Sequence, residues 1–298
     1  FFYLIFKKTP HKIVVQSPPL LLSFISVFVL SLKRKKIILN VSDLWPLAAI
    51  ELNALKENSF SHKVSLFLEK YIYQKATVIL GQSDEIITHI QQKFPEKSCY
   101  LYRNFPDHQI QKPDFIASEN EPIKLFYAGL LGVAQGVFEI CKKMNLENLN
   151  IEFHIFGDGA EKIQIENFIK ENPLKNITFH GMLERKELIS LLTHFDIALV
   201  PLTTRIYGSV PSKIFEYSTL GIPILYFGGG EGENLIRENH LGWVADVGDF
   251  EELNYVLKTI SKIKKNEITS IKNNVFKYSK TKFNLDVQIK NLIINGVF

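Results

Sequence analysis

Lys213 and Glu216 stand three residues apart behind a Pro211-Ser212 pair, between an apolar run from Ile197 to Val200 and another from Ile222 to Phe227. Proline and serine open helices: a proline loses nothing where the N–H has no partner, and a serine hydroxyl caps free N–H groups. A spacing of three puts the lysine and the glutamate on one helix face. A helix N-terminus between two strands, carrying a cation and a carboxylate, suits an anionic ligand that also bears hydroxyls. The same spacing equally describes an ion pair on a surface helix, so the neighbouring segments must separate the two.

Other residues that could do chemistry sit at strand ends. Asp43, in Ser42-Asp43-Leu44-Trp45-Pro46, follows the apolar strand Ile37 to Val41 and reads either as a helix cap or as an active-site carboxylate. Glycines recur where strands end, at Gly129, Gly157, Gly181 and Gly228. A glycine lets the backbone approach a ligand closely, although each one singly is more often a tight turn. Several on one sheet edge favour a nucleotide or sugar ligand. None belongs to a Gly-Lys-Ser/Thr phosphate loop or to a complete G-x-G-x-x-G fingerprint, so they do not choose between those ligands.

The elements that must position these residues alternate. Ile13 to Val15 is a strand, Leu20 to Leu32 an apolar helix, Phe60 to Gln74 an amphipathic helix and Ala76 to Leu80 a strand. Gln82-Ser83-Asp84 caps a helix reaching Lys93, and Cys99 to Tyr102 is another strand. The polar, aperiodic stretch from Arg103 to Pro122 reads as a linker. A second series begins at Lys124, with strands at Leu125–Ala128, Ile151–Phe156, Ile177–His180, Ile197–Val200, Ile222–Phe227 and Trp243–Asp246, separated by helices. Strands alternating with helices through short loops predict parallel, doubly wound sheets. The expected fold is α/β, with two Rossmann-like domains facing a cleft: an incomplete N-terminal one over 1–118, a second over 119–280, and a C-terminal helix over 281–298 returning to the first.

The totals narrow the class. Of 298 residues, 46% are hydrophobic and 22% charged, ordinary for a soluble globular protein. A net charge of +4, with no nucleic-acid motif, argues against a nucleic-acid partner. Cys99 and Cys141 lie far apart and read as reduced thiols of a cytosolic protein. The apolar run before Lys33-Arg34-Lys35-Lys36 has its charges on the wrong side for a signal peptide. It is also shorter than the roughly 20 residues that span a bilayer. The chain opens Phe1-Phe2-Tyr3 without methionine, so a missing first segment is expected.

The second half resembles the donor domain of retaining GT-B glycosyltransferases of the large family 4. The likeness is to the bacterial branch that builds lipopolysaccharide O-antigen and capsule, including N-acetylfucosamine transferases. It is carried by YAGLLGVAQG at 127–136, FGDG at 156–159, FHG at 179–181, LVPL at 199–202, PSKIFE at 211–216, GIPI at 221–224, GGEGE at 229–233 and GWV at 242–244. In the first half SPP at 17–19, DLWP at 43–46 and RN at 103–104 fit the same branch.

The resemblance implies a nucleotide sugar, UDP-linked, as donor and a lipid-linked saccharide as acceptor. The enzyme would work peripherally on the cytoplasmic face of a bacterial plasma membrane, with the Leu20 helix and Lys33 to Lys36 at the lipid. It implies no cofactor and, with no Asp-x-Asp at a plausible site, no metal. By position, Glu216 matches the second glutamate of the E-x7-E motif and would bind the ribose hydroxyls. Gly157, Asp158 and Gly159, with Gly181 and Met182, would lie at the base; Gly129 would lie on the same donor edge. Lys213, Arg205 and Ser212 would face the diphosphate, and Gly229, Gly230 and Glu233 the sugar and phosphates. Asp43, Lys213 and Glu216 would be the catalytic set. Three departures stand out: the first glutamate of the motif falls at Gly208, the customary Arg and Lys after the first donor strand are Leu130 and Gln135, and a histidine often found beside Asp43 is Ser42. The rivals are a nucleotide-sugar 2-epimerase of the same architecture and a truncated chain that binds nucleotide sugar without turnover.

Overall fold

The computed structural model describes residues 2–107, 112–113, 115, 121–133, 135–173 and 176–298. Much of the expected linker between Arg103 and Pro122 lies outside them. The chain divides into two units, one of Phe1–Asn104, Ile206–Val210 and Leu285–Phe298, the other of Phe105–Arg205 and Pro211–Asn284.

In the first unit a short helix α1 (Phe2–Phe6) precedes β1 (Lys12–Ser17), α2 (Leu20–Leu32) and β2 (Lys36–Val41). There follow α3 (Leu47–Glu51), α4 (Phe60–Lys75), β3 (Val78–Gly81), α5 (Asp84–Lys93) and β4 (Cys99–Leu101). The four strands pair in chain order, all parallel. Ser17 is in register with Val41, Val41 with Gly81 and Gly81 with Leu101, so the four carboxyl ends form one row. β2 shows why the sheet is parallel: Ile37, Ile38 and Leu39 are all buried, as a strand covered on both faces requires. Ser59 caps α4 through His62 N at 3.1 Å, and Ser83 caps α5 through Ile86 N at 3.1 Å. The strand expected from Ala76 starts at Val78, because Ala76 N still closes the last turn of α4 on Ile72 O. α1 and α3, five residues each, are too short to leave a periodic signal.

The second unit holds β5 (Ile123–Ala128), α6 (Val137–Lys143), β6 (Ile151–Phe156), α7 (Lys162–Glu171), β7 (Ile177–Gly181), α8 (Arg185–Leu192) and β8 (Ile197–Pro201). It continues with α9 (Ser212–Thr219), β9 (Ile224–Phe227), α10 (Glu231–Glu238), β10 (Gly242–Ala245), α11 (Phe250–Ile260) and α12 (Lys265–Lys282), while α13 (Leu285–Ile294) belongs to the first unit. The six parallel strands run in the order β10-β9-β8-β5-β6-β7 around a core that includes Phe153, Ile155, Leu199 and Leu225. At the opposite edge from the strand ends, Lys265 and Lys272 hold α12 to the loop before β8, donating to Asp196 and to Phe195 O.

Candidate functional site

From β5 the sheet of the second unit grows one way through β6 and β7, then the chain crosses back to set β8 on the other side of β5. Such a reversal opens a crevice at the carboxyl ends of the two strands flanking it, because the loops above them diverge. Gly129, Gly157, Gly159, Gly229 and Gly230 lie in the loops along this edge, and Gly181 ends β7 there.

Two of these glycines also have a local purpose, in the packing of one loop on the next. Gly157 sits at φ +144°, and a Cβ there would lie 1.8 Å from Gly129 O; a Cβ on Gly159 would lie 2.4 Å from Leu131 O. They let neighbouring loops close on each other. Gly157 N donates to Gly181 O at 2.8 Å, Gly129 N to Phe156 O at 3.0 Å and Leu131 N to Asp158 O at 2.9 Å. A register shift between Ile155 and Phe156 against β7 brings Gly157 level with that carbonyl. Asp158 also works locally, its carboxylate accepting from Gly159 N at 2.8 Å. By contrast, a Cβ on Gly181 would meet nothing within 4 Å, and one on Gly229 only Glu233 Oε2 at 3.9 Å, so these two border open space.

The closed loops form the floor of a cavity of about 530 Å³, with Leu130, Met182, Leu183 and Leu188 among its walls. Leu130 and Met182 are 66% and 76% exposed, large apolar side chains held out over backbone. Apolar walls with backbone polar groups between them suit a flat heteroaromatic ring.

α9 begins where expected, but Pro211 occupies the cap position and no side chain caps the helix, so Ser212 is its exposed first residue and not a cap. Lys213 and Glu216 share a face, yet they are not each other's ion-pair partners. Lys213 Nζ turns back to the end of β5, donating to Ala128 O, with Tyr217 Oη at 3.2 Å. Tyr217 Oη itself donates to Ala128 O at 3.0 Å. Gly129 makes the room: a Cβ there would lie 3.0 Å from Lys213 Cε. Burial pulls the Lys213 ammonium below the usual lysine value, against the field of Glu216, which pulls it up. Glu216 Oε1 meets Arg185 Nη2, from the start of α8, at 3.3 Å. On the far side Arg205 lies over Gly230, whose Cβ would come within 2.9 Å of Arg205 Nε, and Glu233 receives Arg237 Nε at 2.8 Å. The structure thus gathers Lys213, Glu216, Ser212 and the glycine loops on one edge. Sequence reasoning missed Arg185, which no local spacing connects to Glu216, and Tyr217, which the four-residue step from Lys213 could have revealed.

The first unit presents its own carboxyl edge. Asp43 follows β2 and does not cap α3, whose cap position is Pro46 without a side-chain bond. Among the described residues it has no hydrogen-bond or ion-pair partner, and partial burial holds its carboxyl above the usual aspartate value. Around it runs a chain of amides. Asn40 Nδ2 donates to Gln16 Oε1 at 2.7 Å, Gln16 Nε2 to Ser42 Oγ at 2.5 Å, Gln82 Nε2 to Ser42 O, and Asn104 Nδ2 to Gln82 Oε1 at 2.9 Å.

Gly208, where a glutamate would complete the E-x7-E motif, belongs to the first unit. Its N donates to Glu85 Oε2 at 2.7 Å, its O accepts from Ser83 Oγ at 2.7 Å, and a Cβ would lie 2.8 Å from Ile86 Cγ1 at φ +84°. A side chain there would be strained and would have to displace Ile86, which disfavours a glutamate at this position. Among the described residues, no cluster of three or more His, Cys, Asp or Glu could hold a metal ion.

The family model of glycosyl transferases group 1 matches residues 107–281. Among curated proteins the chain is 26% identical over 221 residues to the probable glycosyltransferase WbjE of Pseudomonas aeruginosa, covering 70% of this chain and 55% of that protein. It is 24% identical over 149 residues to the amylovoran biosynthesis glycosyltransferase AmsK of Erwinia amylovora, covering 48% and 37%. The chain therefore spans about half, or less, of the length of these relatives. Among solved structures it is similar to HepE of Anabaena in complex with UDP, at TM-score 0.72 and 14% identity over 95% of this chain and 78% of that one. TarM gives TM-score 0.69 and 14% identity over 95% and 54%. These likenesses identify the fold as GT-B, two parallel-sheet α/β domains.

Proposed function

The chain belongs to the group 1 glycosyltransferases, and from that premise we propose that it moves a sugar from a UDP-linked donor to a lipid-linked saccharide during synthesis of a surface polysaccharide. The observation that carries this reading is the open start of α9, with Lys213 and Glu216, on the same sheet edge as an apolar cavity of about 530 Å³. The base would lie among Leu130, Met182 and Leu183, above the backbone of Gly157 and Gly159. Glu216 would exchange Arg185 for the two ribose hydroxyls, since a carboxylate accepts from both. Lys213, Arg205 and the free N–H groups of Ser212 and Lys213 would take the diphosphate, and Gly229 and Gly230 leave space for the sugar.

In the reaction the bond from the anomeric carbon to the diphosphate oxygen breaks, and a bond to the acceptor hydroxyl forms with retention of configuration. Negative charge grows on the leaving diphosphate, where a fixed ammonium and helix N–H groups stabilise it most. Asp43, on the carboxyl edge of the first unit, is proposed to receive the acceptor hydroxyl and to take its proton as the new bond forms. No metal or cofactor is required by these roles. An enzyme of this kind would work on the cytoplasmic face of a bacterial plasma membrane, where lipid-linked saccharides are extended.

Titration of UDP and UDP-sugars against the protein and its Glu216→Ala variant tests the assignment, with an expected loss of about tenfold or more for two charge-assisted hydrogen bonds. Equal affinity would remove Glu216 from the site. Conversion of UDP-N-acetylglucosamine to its 2-epimer without any acceptor would replace the transferase reading by an isomerase.

A further inference from the structure

Tyr217 stands one turn along α9 from Lys213 and takes no part in the roles assigned above. Its ring is buried and packs edge-on against Phe126, at a ring separation of 5.1 Å. Only the hydroxyl at its tip reaches polar groups. That hydroxyl donates its one hydrogen to Ala128 O at 3.0 Å, so its contact with Lys213 Nζ at 3.2 Å uses an oxygen lone pair. Burial, then the neighbouring Glu216 and Tyr127, raise its ionisation well above that of an ordinary tyrosine. The group beside the ammonium is therefore a neutral acceptor.

An ammonium carries three N–H donors on a flexible four-carbon stem. Ala128 O takes one of them and Tyr217 Oη a second, and among the described residues no acceptor takes the third. Two fixed bonds give the third a direction, which one bond alone would leave free to swivel. The other titratable groups near Lys213 act differently. Glu216 on α9 and Arg185 from the start of α8 act on it by charge alone, in opposite senses. Tyr127 stands across Gly129, where a Cβ would lie 3.1 Å from Tyr127 Oη and 3.2 Å from Lys213 Nζ. Its hydroxyl donates to Leu130 O at 2.6 Å, and burial, then Glu161, keeps it protonated. Tyr127 thus holds the loop, while Tyr217 meets the cation.

We propose that Tyr217 is the positioning residue of Lys213: its hydroxyl, braced on Ala128 O, aims the remaining N–H of the ammonium at the donor diphosphate. The purpose of this arrangement rests on the donor reading given above, but the arrangement itself does not. A phenylalanine would fill the same space against Phe126 and offer the ammonium nothing. The hydroxyl also favours the charged form of a lysine that burial disfavours, so the cation stays available in a partly dehydrated place.

The experiment follows the Lys213 titration in the full chain by NMR of isotope-labelled lysine, the signal being assigned by its loss in Lys213→Met. UDP affinity is measured alongside. Tyr217→Phe should move the Lys213 titration to lower pH by about one pH unit, the loss of one hydrogen bond to a charge. Tyr127→Phe should leave that titration in place. At neutral pH, Tyr217→Phe should weaken UDP about fivefold in the parent chain, yet by less than about twofold in Lys213→Met, where the partner is gone. A purely structural tyrosine would cost the same in both backgrounds and would leave the lysine titration unmoved. Either of those results overturns the positioning role. If the titration follows Tyr217 while UDP does not bind the parent chain, the donor reading falls and the pairing of hydroxyl and ammonium stands. If UDP binds the parent and Lys213 titrates alike with and without the hydroxyl, the positioning role falls alone.

Discussion

Both sheets end in a row of loops, but the row in the second unit is held by backbone whereas the row in the first is held by side chains. Gly157, Gly129 and Leu131 exchange N–H···O bonds between loops at 2.8 to 3.0 Å. In the first unit Gln16, Asn40, Gln82 and Asn104 do the equivalent work through their amides. A backbone lattice leaves the side chains of the apolar walls to meet a ligand of fixed shape. A side-chain lattice can change with one substitution while the strands stay as they are.

The largest effect should come from breaking the backbone lattice. Gly157→Ala places a Cβ 1.8 Å from Gly129 O and is expected to cost about 4 kcal/mol or more in urea unfolding. Gly181→Ala, at φ +75° beside open space, should cost about 1 kcal/mol. Equal costs would mean that conformation and not loop closure governs this edge. Next, Lys213→Ala should lower kcat/KM by about a hundredfold or more with little loss of stability, since the ammonium it removes is held partly out of water.

The first unit should answer to acid instead. Burial, then the nearby Lys93, lowers the His89 imidazole from 6.5 to about 4. The unfolded chain therefore takes up this proton first, and stability falls as pH drops from 6.5 towards 4, by at most about 3 kcal/mol. His89→Gln should flatten that stretch of the pH profile; an unchanged slope would assign it to other groups. A small effect is also expected of Gln82→Leu, which leaves Ser42 O and Asn104 without their amide partner and should cost about 1–2 kcal/mol. UDP affinity should be untouched, and a matching fall in it would erase the distinction between the two edges.

The same contrast explains what could be read before any coordinates. The alternation of buried strands and helices, the Ser83 cap and the start of α9 at Ser212 are local properties of the chain, and they were legible. Gly157 was legible as a loop glycine but not as a spacer, because the oxygen it clears belongs to Gly129. Arg185 and Glu216, 31 residues apart, and the Gln16 amide and Ser42 hydroxyl, 26 apart, meet only through the sheet. Amides carry no motif, so nothing in their spacing announces them. Gly208 was legible only as a missing glutamate; its packing on Ile86 supplies the reason.

The segment Ile206–Val210 belongs to the first unit although both its flanks belong to the second, and Leu285–Phe298 returns to the first again. Neither half is therefore a stretch of gene. An expression clone that stops near residue 105 would lack the five residues that occupy Glu85 and Ser83 and the helix whose Gln288 accepts from Arg103 N at 2.9 Å. Dissecting this protein calls for loop grafts and paired substitutions, because no single cut separates the two units.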